Sequence, residues 1–174
     1  MKRKIIAMLL LAMLCVSVCS CGKLVMPAEP TPLPIVEVMP STLLTINEAC
    51  EMTETMLVQE GGIEKDGGAS YVLYRGEPIG AADTVKISVE QYTAEITKES
   101  IKQKFDTDRT KRTSAEDVEG VENCFIAYPT AYYYKDGYYI KITAGSGGDD
   151  AQKALLTTMI KSAAQRLDSF ITVQ

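Results

Sequence analysis

The residue types that perform most protein chemistry are scarce in this 174-residue chain. It contains no histidine, which excludes Ser-His-Asp and Cys-His catalysis in their usual forms and every zinc site that uses histidine. Outside the leading apolar run, Cys21, Cys50 and Cys124 are too far apart to form a Cys-x-x-Cys pair for zinc or redox chemistry. We therefore expect no metal site and no cofactor.

Aspartate and glutamate are the remaining candidates for catalysis. They number 23, and two carboxyl groups are sufficient for glycoside hydrolysis when the fold brings them to the required separation. The sequence does not fix that separation. A small hydrolase that uses only Asp and Glu therefore stays open as an alternative.

Tyrosine is the one residue type that is concentrated. Six of the nine tyrosines lie between Tyr128 and Tyr139, around Asp136-Gly137, a pair that suits a type I′ hairpin turn because both central residues need positive φ. A two-residue turn fixes the register, so cross-strand partners share a face. One face then carries the core-like residues Tyr133, Tyr138, Ile140 and Ile142. The other face carries Tyr132, Tyr134, Tyr139, Lys141 and Thr143.

Tyr132, Tyr134, Tyr139 and Lys141, on this second face, are the candidate binding surface. Tyrosine rings would stack there on sugar rings or peptide side chains, and the hydroxyl groups would supply hydrogen bonds. The alternative is purely structural, because tyrosine favours strands and cross-strand aromatic pairs stabilise a sheet by roughly 0.2 to 1 kcal/mol each.

The elements that would position these residues follow a long N-terminal extension. Residues 1–20 combine a basic start with an apolar run, the layout of a secretory signal, and the run is too short to span a bilayer. Val18-Cys19-Ser20-Cys21 resembles the lipobox of bacterial lipoproteins, which implies cleavage before Cys21 and a lipid on its thiol. An uncleaved anchor and ordinary secretion are the alternatives. Residues 21–44 carry five of the seven prolines and predict an extended tether.

Removal of the signal peptide changes the charge of the protein. The mature chain keeps 15 of its 18 Lys and Arg and all 23 Asp and Glu, which gives a net charge of −8 rather than −5. An acidic chain lacks the clustered basic residues on which nucleic acids and anionic membrane surfaces depend for binding. We expect neither as a partner, apart from the membrane contact through the lipid on Cys21.

Residues 45–174 predict one α+β domain. Thr45 and Glu48 fit a capping box that starts a helix ending at Gly61-Gly62. Thr97 caps a second, short helix, and Asp106–Asp117 is interpreted as an exposed loop. The last helix starts at Asp149 or Asp150 and ends near Ile171.

The intervening segments predict five strands. They are centred on residues 71–74, 83–92, 121–128, 130–135 and 138–144, with Pro129 ending the third. The simplest arrangement is an antiparallel sheet of about five strands with the helices packed on one face.

Cys50 and Cys124 are the two cysteines left for structure. Cys50 falls on the apolar face of the first helix and Cys124 in a strand that we expect beside it, so a disulfide between them is one prediction. Two free buried thiols are the alternative.

Several short segments resemble small bacterial lipoproteins of the PsbP-like fold. These are Leu44–Ala49, Val118–Asn123 before a strand, Lys135-Asp136-Gly137 at a turn, and the closing helix. The resemblance covers Leu44 to Leu167. It implies an α+β fold and an accessory or ligand-binding module of the envelope without catalytic activity.

The leading functional prediction is a non-catalytic module held at the extracytoplasmic face of the cell membrane by the lipid on Cys21. It would bind an envelope protein or a cell-wall component. The alternatives are the Asp/Glu hydrolase and an inhibitor or assembly partner of an envelope enzyme or transporter.

Overall fold

The computed structural model describes residues 35–60, 69–76, 84–145 and 150–172. The predicted signal peptide, the predicted lipidation site at Cys21 and the tether up to residue 34 lie outside these ranges. Within them, none of the helices has the length and apolar composition that a bilayer crossing requires.

The folded domain begins before the predicted boundary at Thr45. Val38 and Leu44 are buried, and a short helix, α1 (Pro40–Leu43), begins with proline, where the missing N–H removes no helical hydrogen bond. Residues 35–44 were assigned to the tether because residues 21–44 carry five prolines, including Pro40, but Val38, Leu43 and Leu44 are buried in the core.

The next helix, α2 (Ile46–Thr53), begins as predicted. The Thr45 hydroxyl accepts a hydrogen bond from the backbone N–H of Glu48, and the Glu48 carboxylate accepts one from the backbone N–H of Thr45 at 2.9 Å. The helix ends at Glu54, whose φ of 54° is left-handed. It therefore stops well before Gly61-Gly62, and the prediction of a longer helix is wrong.

The described strands are β1 (Leu57–Glu60), β2 (Ala69–Gly76), β3 (Thr84–Gln91), β4 (Glu116–Asp117), β5 (Cys124–Ala127), β6 (Thr130–Lys135) and β7 (Tyr138–Ala144). They form one antiparallel sheet in the order β1-β2-β3-β7-β6-β5-β4. The α+β class is confirmed, but the sheet has seven strands rather than five. The two strands that the sequence analysis missed are the edges β1 and β4, which are short.

The tyrosine hairpin has the predicted register. Tyr132 lies opposite Lys141 and Tyr134 lies opposite Tyr139. Asp136 and Gly137 have φ values of 48° and 91°, as a type I′ turn requires. The prediction of which residues share a face is therefore confirmed.

One face of the sheet, called the α4 face, is covered by α1, α2 and the long helix α4 (Asp150–Thr172). The buried side chains of α4 are those of Leu156, Met159, Ile160, Ala163, Ala164 and Leu167. They pack on inward-facing residues of the sheet, including Val85, Ile87 and Ile142, to form the larger of two cores.

The opposite face, called the α3 face, is partly covered by helix α3 (Lys98–Lys111). The prediction that all helices pack on one face is therefore wrong. Ile101 and Phe105, one turn apart, are buried against Phe125, Tyr132 and Tyr139 in a second core.

Helix α3 is also longer than predicted, because Asp106–Lys111 is helical rather than an exposed loop. The cap at Thr97 is confirmed by its hydroxyl, which accepts a hydrogen bond from the backbone N–H of Ser100. In the charged half, Lys102 pairs with Asp106 at 2.8 Å, four residues apart on the same side of the helix. Such pairs support a charged helix that has little apolar periodicity.

The α3 face has a covered half and an open half. The covered half consists of Phe125 on β5, Tyr132 on β6 and Tyr139 on β7, where α3 packs. In the open half, on β2 and β3, the side chains remain half-exposed or exposed; they are Tyr71, Leu73, Arg75, Lys86 and Ser88.

Candidate functional site

The predicted tyrosine surface is a core rather than an exposed surface. Tyr132 is 1% exposed and Tyr139 is 0% exposed, and Tyr134 and Lys141 are half-buried. The Tyr132 ring stacks on Phe125 with centroids 4.5 Å apart, and Phe105 of α3 meets Tyr139 edge-on at 5.6 Å. The candidate binding surface is therefore not exposed, because α3 covers this half of the sheet, and the purely structural alternative fits these residues.

The polar ends of these side chains are also used within the domain. The Tyr139 hydroxyl donates to the Asp108 carboxylate at 2.6 Å. Burial, with Asp108 beside it, raises the pKa of the Tyr139 phenol well above its usual value. Lys141 Nζ lies 4.7 Å from the centroid of the Tyr139 ring. These groups fasten α3 to the sheet and do not face a ligand.

Glu90 joins the covered half to the open half. Its carboxylate lies 2.7 Å from Lys104 of α3 and 2.7 Å from Lys141 of β7. Burial alone would raise the pKa of Glu90, but hydrogen bonds and charge from the two lysines outweigh burial and hold that pKa below its ordinary value. The carboxylate is therefore ionised and committed to two internal ion pairs.

Cys50 and Cys124 are free thiols. Cys50 lies beside β1, where its Sγ accepts a hydrogen bond from the backbone N–H of Leu57 at 3.2 Å. Cys124 lies on β5, five strand positions away, which is about 24 Å at roughly 4.8 Å per strand. A disulfide requires Cα atoms within about 7 Å, so the predicted bond is incompatible with this sheet order. Burial raises the pKa of the Cys124 thiol to about 12.

A groove of about 710 Å³ lies at the hairpin end of the sheet. It is formed by the loop 119–123, by residues 133–136 around the hairpin turn, and by Lys161, Gln165 and Asp168 of α4. We call it the hairpin groove. Its volume is within the range of about 300 to 1,000 Å³ typical of ligand sites.

Charged groups of both signs line the hairpin groove. Asp168 accepts a hydrogen bond from the Tyr133 hydroxyl at 3.2 Å and pairs with Lys135 at 2.8 Å. Burial raises the pKa of the Tyr133 phenol, and the Asp168 charge adds to this effect. Glu122 on the loop and Lys161 on the helix place opposite charges on different walls. The groove can therefore orient a polar ligand that carries both donors and acceptors.

Two of the three segments that form the hairpin groove carry short sequence motifs. Val118–Asn123 and Lys135-Asp136-Gly137 were noted as short motifs, and the structure brings both to the same end of the sheet. Gly120 and Asn123 both have positive φ in this loop. Glycine and asparagine adopt positive φ more readily than other residues, so these two residue types were a sequence signal for the loop. The contribution of α4 had no local signal, because Gln165 and Asp168 look like ordinary exposed helix positions.

In the part of the chain that the structure describes, no group of three or more Cys, Asp and Glu side chains is arranged to hold a metal ion. No protein-family model, no curated protein and no solved structure matches this chain. The lipoprotein assignment and the PsbP-like resemblance therefore stay predictions.

Proposed function

We propose that this protein is a lipid-anchored, extracytoplasmic module that binds an envelope protein or a cell-wall component in the hairpin groove. The anchor rests on the sequence around Cys21. The binding function rests on the groove, which replaces the buried tyrosine face as the ligand site.

The observation that carries the binding function is the composition of the groove walls. The loop 119–123, residues 133–136 and α4 meet around one open volume, which is lined by Glu122, Lys161 and Gln165 among others. Backbone peptide groups, amino sugars and stem peptides all present paired donors and acceptors, and side chains of this kind fix the orientation of such ligands. Asp168, held by Lys135 and Tyr133, supplies a positioned acceptor.

Binding is favoured over hydrolysis by the state of the carboxyl groups. A glycosidase needs one carboxylic acid whose pKa is raised so that it can donate a proton. Among the described residues, the carboxyl groups with a shifted pKa are those of Glu48, Glu90 and Asp117, and each of these pKa values lies below the ordinary one. Each carboxylate pairs with a basic side chain, and none belongs to the hairpin groove.

The anchor is tested by metabolic labelling with radioactive palmitate. Wild-type protein should carry the label and sediment with membranes, whereas the Cys21→Ser variant should carry none and appear in the soluble extracytoplasmic fraction. Equal labelling of the two proteins would contradict lipidation at Cys21.

The groove is tested by site-specific photo-crosslinking in intact cells. A benzophenone amino acid at Gln165 should give a discrete adduct, and the adduct should disappear when Lys161→Glu and Asp168→Lys are added. The same probe at Lys86, in the open half, is the matched control and should give no such adduct. Identical patterns from the two positions, or no adduct from Gln165, would overturn the binding assignment.

A further inference from the structure

The open half of the α3 face carries a row of accessible apolar side chains. Val58 on β1 is 39% exposed, and Tyr71 and Leu73 on β2 are half-exposed. Leu73 lies opposite Glu60, two residues along β1 from Val58, so the three apolar side chains share one face and are neighbours. Contiguous apolar side chains on an accessible surface are a feature of interaction sites.

A groove borders the open half where helix α3 rises from β3. Its volume is about 560 Å³, and its lining consists of Glu90 of β3 and of Ser100, Gln103, Lys104, Thr107 and Asp108 of α3. Ser100, Lys104 and Thr107 have the spacing of neighbours along one side of a helix. The side chains of Ser100 and Thr107 are short, so a second helix can approach this flank of α3 closely.

The open half and this flank of α3 have an excess of positive charge. Lys86 on β3 is exposed, and its ammonium group lies 4.7 Å from the centroid of the Tyr71 ring without a carboxylate partner among the described residues. Lys104 and Lys141 share the single carboxylate of Glu90, each at 2.7 Å. One negative charge between two lysines leaves a second positive charge in excess.

The other carboxylates on this surface are balanced by basic side chains. Glu60 lies 2.7 Å from Arg75, and Asp108 lies 4.0 Å from Arg112. Helix α3 itself contains five Lys and Arg and three Asp and Glu. This surface is therefore basic on a chain whose net charge is −5, and it is complementary to an acidic partner.

The backbone of the open half restricts the form of that partner. Strand β2 pairs with β1 on one side and with β3 on the other, so its peptide groups are already used within the sheet. A segment that lies on this face must satisfy its own backbone hydrogen bonds, as an α-helix does. The three strands span about 10 Å at roughly 4.8 Å per strand, which matches the diameter of one helix.

We propose that the open half and the adjoining flank of α3 dock an acidic amphipathic helix of a partner protein. The apolar stripe of that helix lies on Val58, Leu73 and Tyr71, and its carboxylates face Lys86 and the lysine pair at Glu90. The surface is separate from the hairpin groove, so it goes beyond the proposed function. A photo-crosslinking probe at Lys86 reports this partner, and the size of its adduct distinguishes it from the ligand reported at Gln165.

The test is an amide-resolved NMR titration of the full mature chain carrying Cys21→Ser, which removes the lipid site. The probes are three designed peptides of about 18 residues, long enough to form an isolated helix. They share a leucine stripe and carry Glu, Gln or Lys on both sides of it. The Glu peptide should give saturable shifts at residues 58–60, 71–75, 86–88 and 100–107. The Lys peptide should bind at least about tenfold more weakly.

Variants assign the binding to this surface. Lys86→Glu should weaken binding of the Glu peptide at least about tenfold. Lys161→Glu in the hairpin groove makes the same change of charge elsewhere, so it is the matched control and should bind as the parent chain does. Tyr71→Ala should weaken binding at least about tenfold, whereas Tyr71→Phe should not, because the ring provides the contact. Circular dichroism checks that each variant is folded.

Four outcomes of the titrations would overturn the proposal. They are the absence of saturable shifts with the Glu peptide, shifts that map to the hairpin groove alone, equal affinities of the Glu and Lys peptides, and equal losses of affinity from Lys86→Glu and Lys161→Glu. Vesicles that contain phosphatidylglycerol test an anionic lipid surface instead, and the Cys21→Ser chain should not sediment with them. Sedimentation that depends on Lys86, without binding of the Glu peptide, would assign the surface to lipid and overturn the proposal.

Discussion

The covered and open halves of the α3 face belong to one continuous sheet surface, but one is buried and the other is accessible to solvent. At the covered half, Phe125, Tyr132 and Tyr139 are sealed under α3. At the open half, Tyr71 and Lys86 remain accessible, with the lysine 4.7 Å from the centroid of the tyrosine ring. Tyrosine is a core residue in one half and a surface residue in the other.

Strand alternation therefore does not determine which face of the sheet is exposed to solvent. The deciding element is α3, whose only buried residues are Ile101 and Phe105. These two apolar side chains, with the guanidinium groups of Arg109 over Phe125 and Arg112 over Tyr132, cover three aromatic rings. A helix that looks hydrophilic along most of its length can therefore cover half of a sheet.

The largest loss of stability is expected when the ring at the centre of the covered half is removed. Phe105→Ala should lower the free energy of unfolding by about 3 to 5 kcal/mol, because it leaves a cavity among the rings of Phe125, Tyr134 and Tyr139. The matched change in the open half, Leu73→Ala, should cost about 1 kcal/mol because Leu73 is half-exposed. Urea unfolding followed by circular dichroism measures both. Equal losses of unfolding free energy in the two variants would contradict the difference in packing between the two halves.

A second test removes one hydroxyl from each half. Tyr139→Phe should cost about 1 to 3 kcal/mol, because the hydroxyl donates to the charged Asp108 at 2.6 Å. Tyr71→Phe should change stability by less than about 0.5 kcal/mol, as is usual for exposed positions. Chemical denaturation of the two variants is the measurement. A neutral Tyr139→Phe substitution would show that the hydrogen bond does not hold α3 on the sheet.

A third test uses pH at the boundary between the halves. The pKa of Glu90 is lowered in the folded state, so its contribution to stability is fully present above the unfolded value near 4.5 and is lost as pH falls through the folded pKa. Glu90→Gln should therefore be less stable than the parent chain at pH 7, and the difference should vanish under acidic conditions.

The control for the pH test is Glu60→Gln in the outer part of the sheet, where Glu60 pairs with Arg75 at 2.7 Å on an exposed edge. Exposed pairs contribute about 0 to 1 kcal/mol. Thermal unfolding across pH 3 to 8 compares the two, and the parent-minus-variant difference should change with pH more strongly for Glu90. Parallel profiles would contradict a special role for Glu90.

The smallest expected effect is that of Lys86→Ala in the open half. The Lys86 ammonium group lies over the accessible Tyr71 ring, and an exposed cation–π contact contributes about 0.5 to 1 kcal/mol. We expect the variant to lose unfolding free energy near the lower end of this range, and urea unfolding measures the loss. A loss comparable to that of Phe105→Ala would mean that the open half is packed rather than accessible.

Local rules predicted the parts of the fold that local chemistry determines. The turn at Asp136-Gly137 fixed the hairpin register, and the Thr45 and Thr97 caps marked two helix starts. The full length of α3 was not predicted because Asp106–Lys111 has no apolar stripe. This part of the helix is stabilised by charge pairs such as Lys102 with Asp106.

The site was less predictable because it depends on which elements meet. The tyrosine face was identified correctly as a shared face, but its burial depends on Phe105, which contacts it only in the tertiary structure. The hairpin groove forms because α4 lies beside the loop 119–123. No sequence pattern within Lys161–Asp168 predicts that these residues pack beside this loop. Tertiary proximity, rather than residue type, was the missing information.

The attachment of residues 35–39 to the sheet has a mechanical consequence. A pulling force applied through the chain before Ile35 reaches the domain at Val36 and Val38, whose hydrogen bonds are to Tyr138 and Gln91. These two residues belong to β7 and β3, the adjacent central strands of the sheet. We expect these two side-chain hydrogen bonds to break under load before the backbone ladder between the two strands.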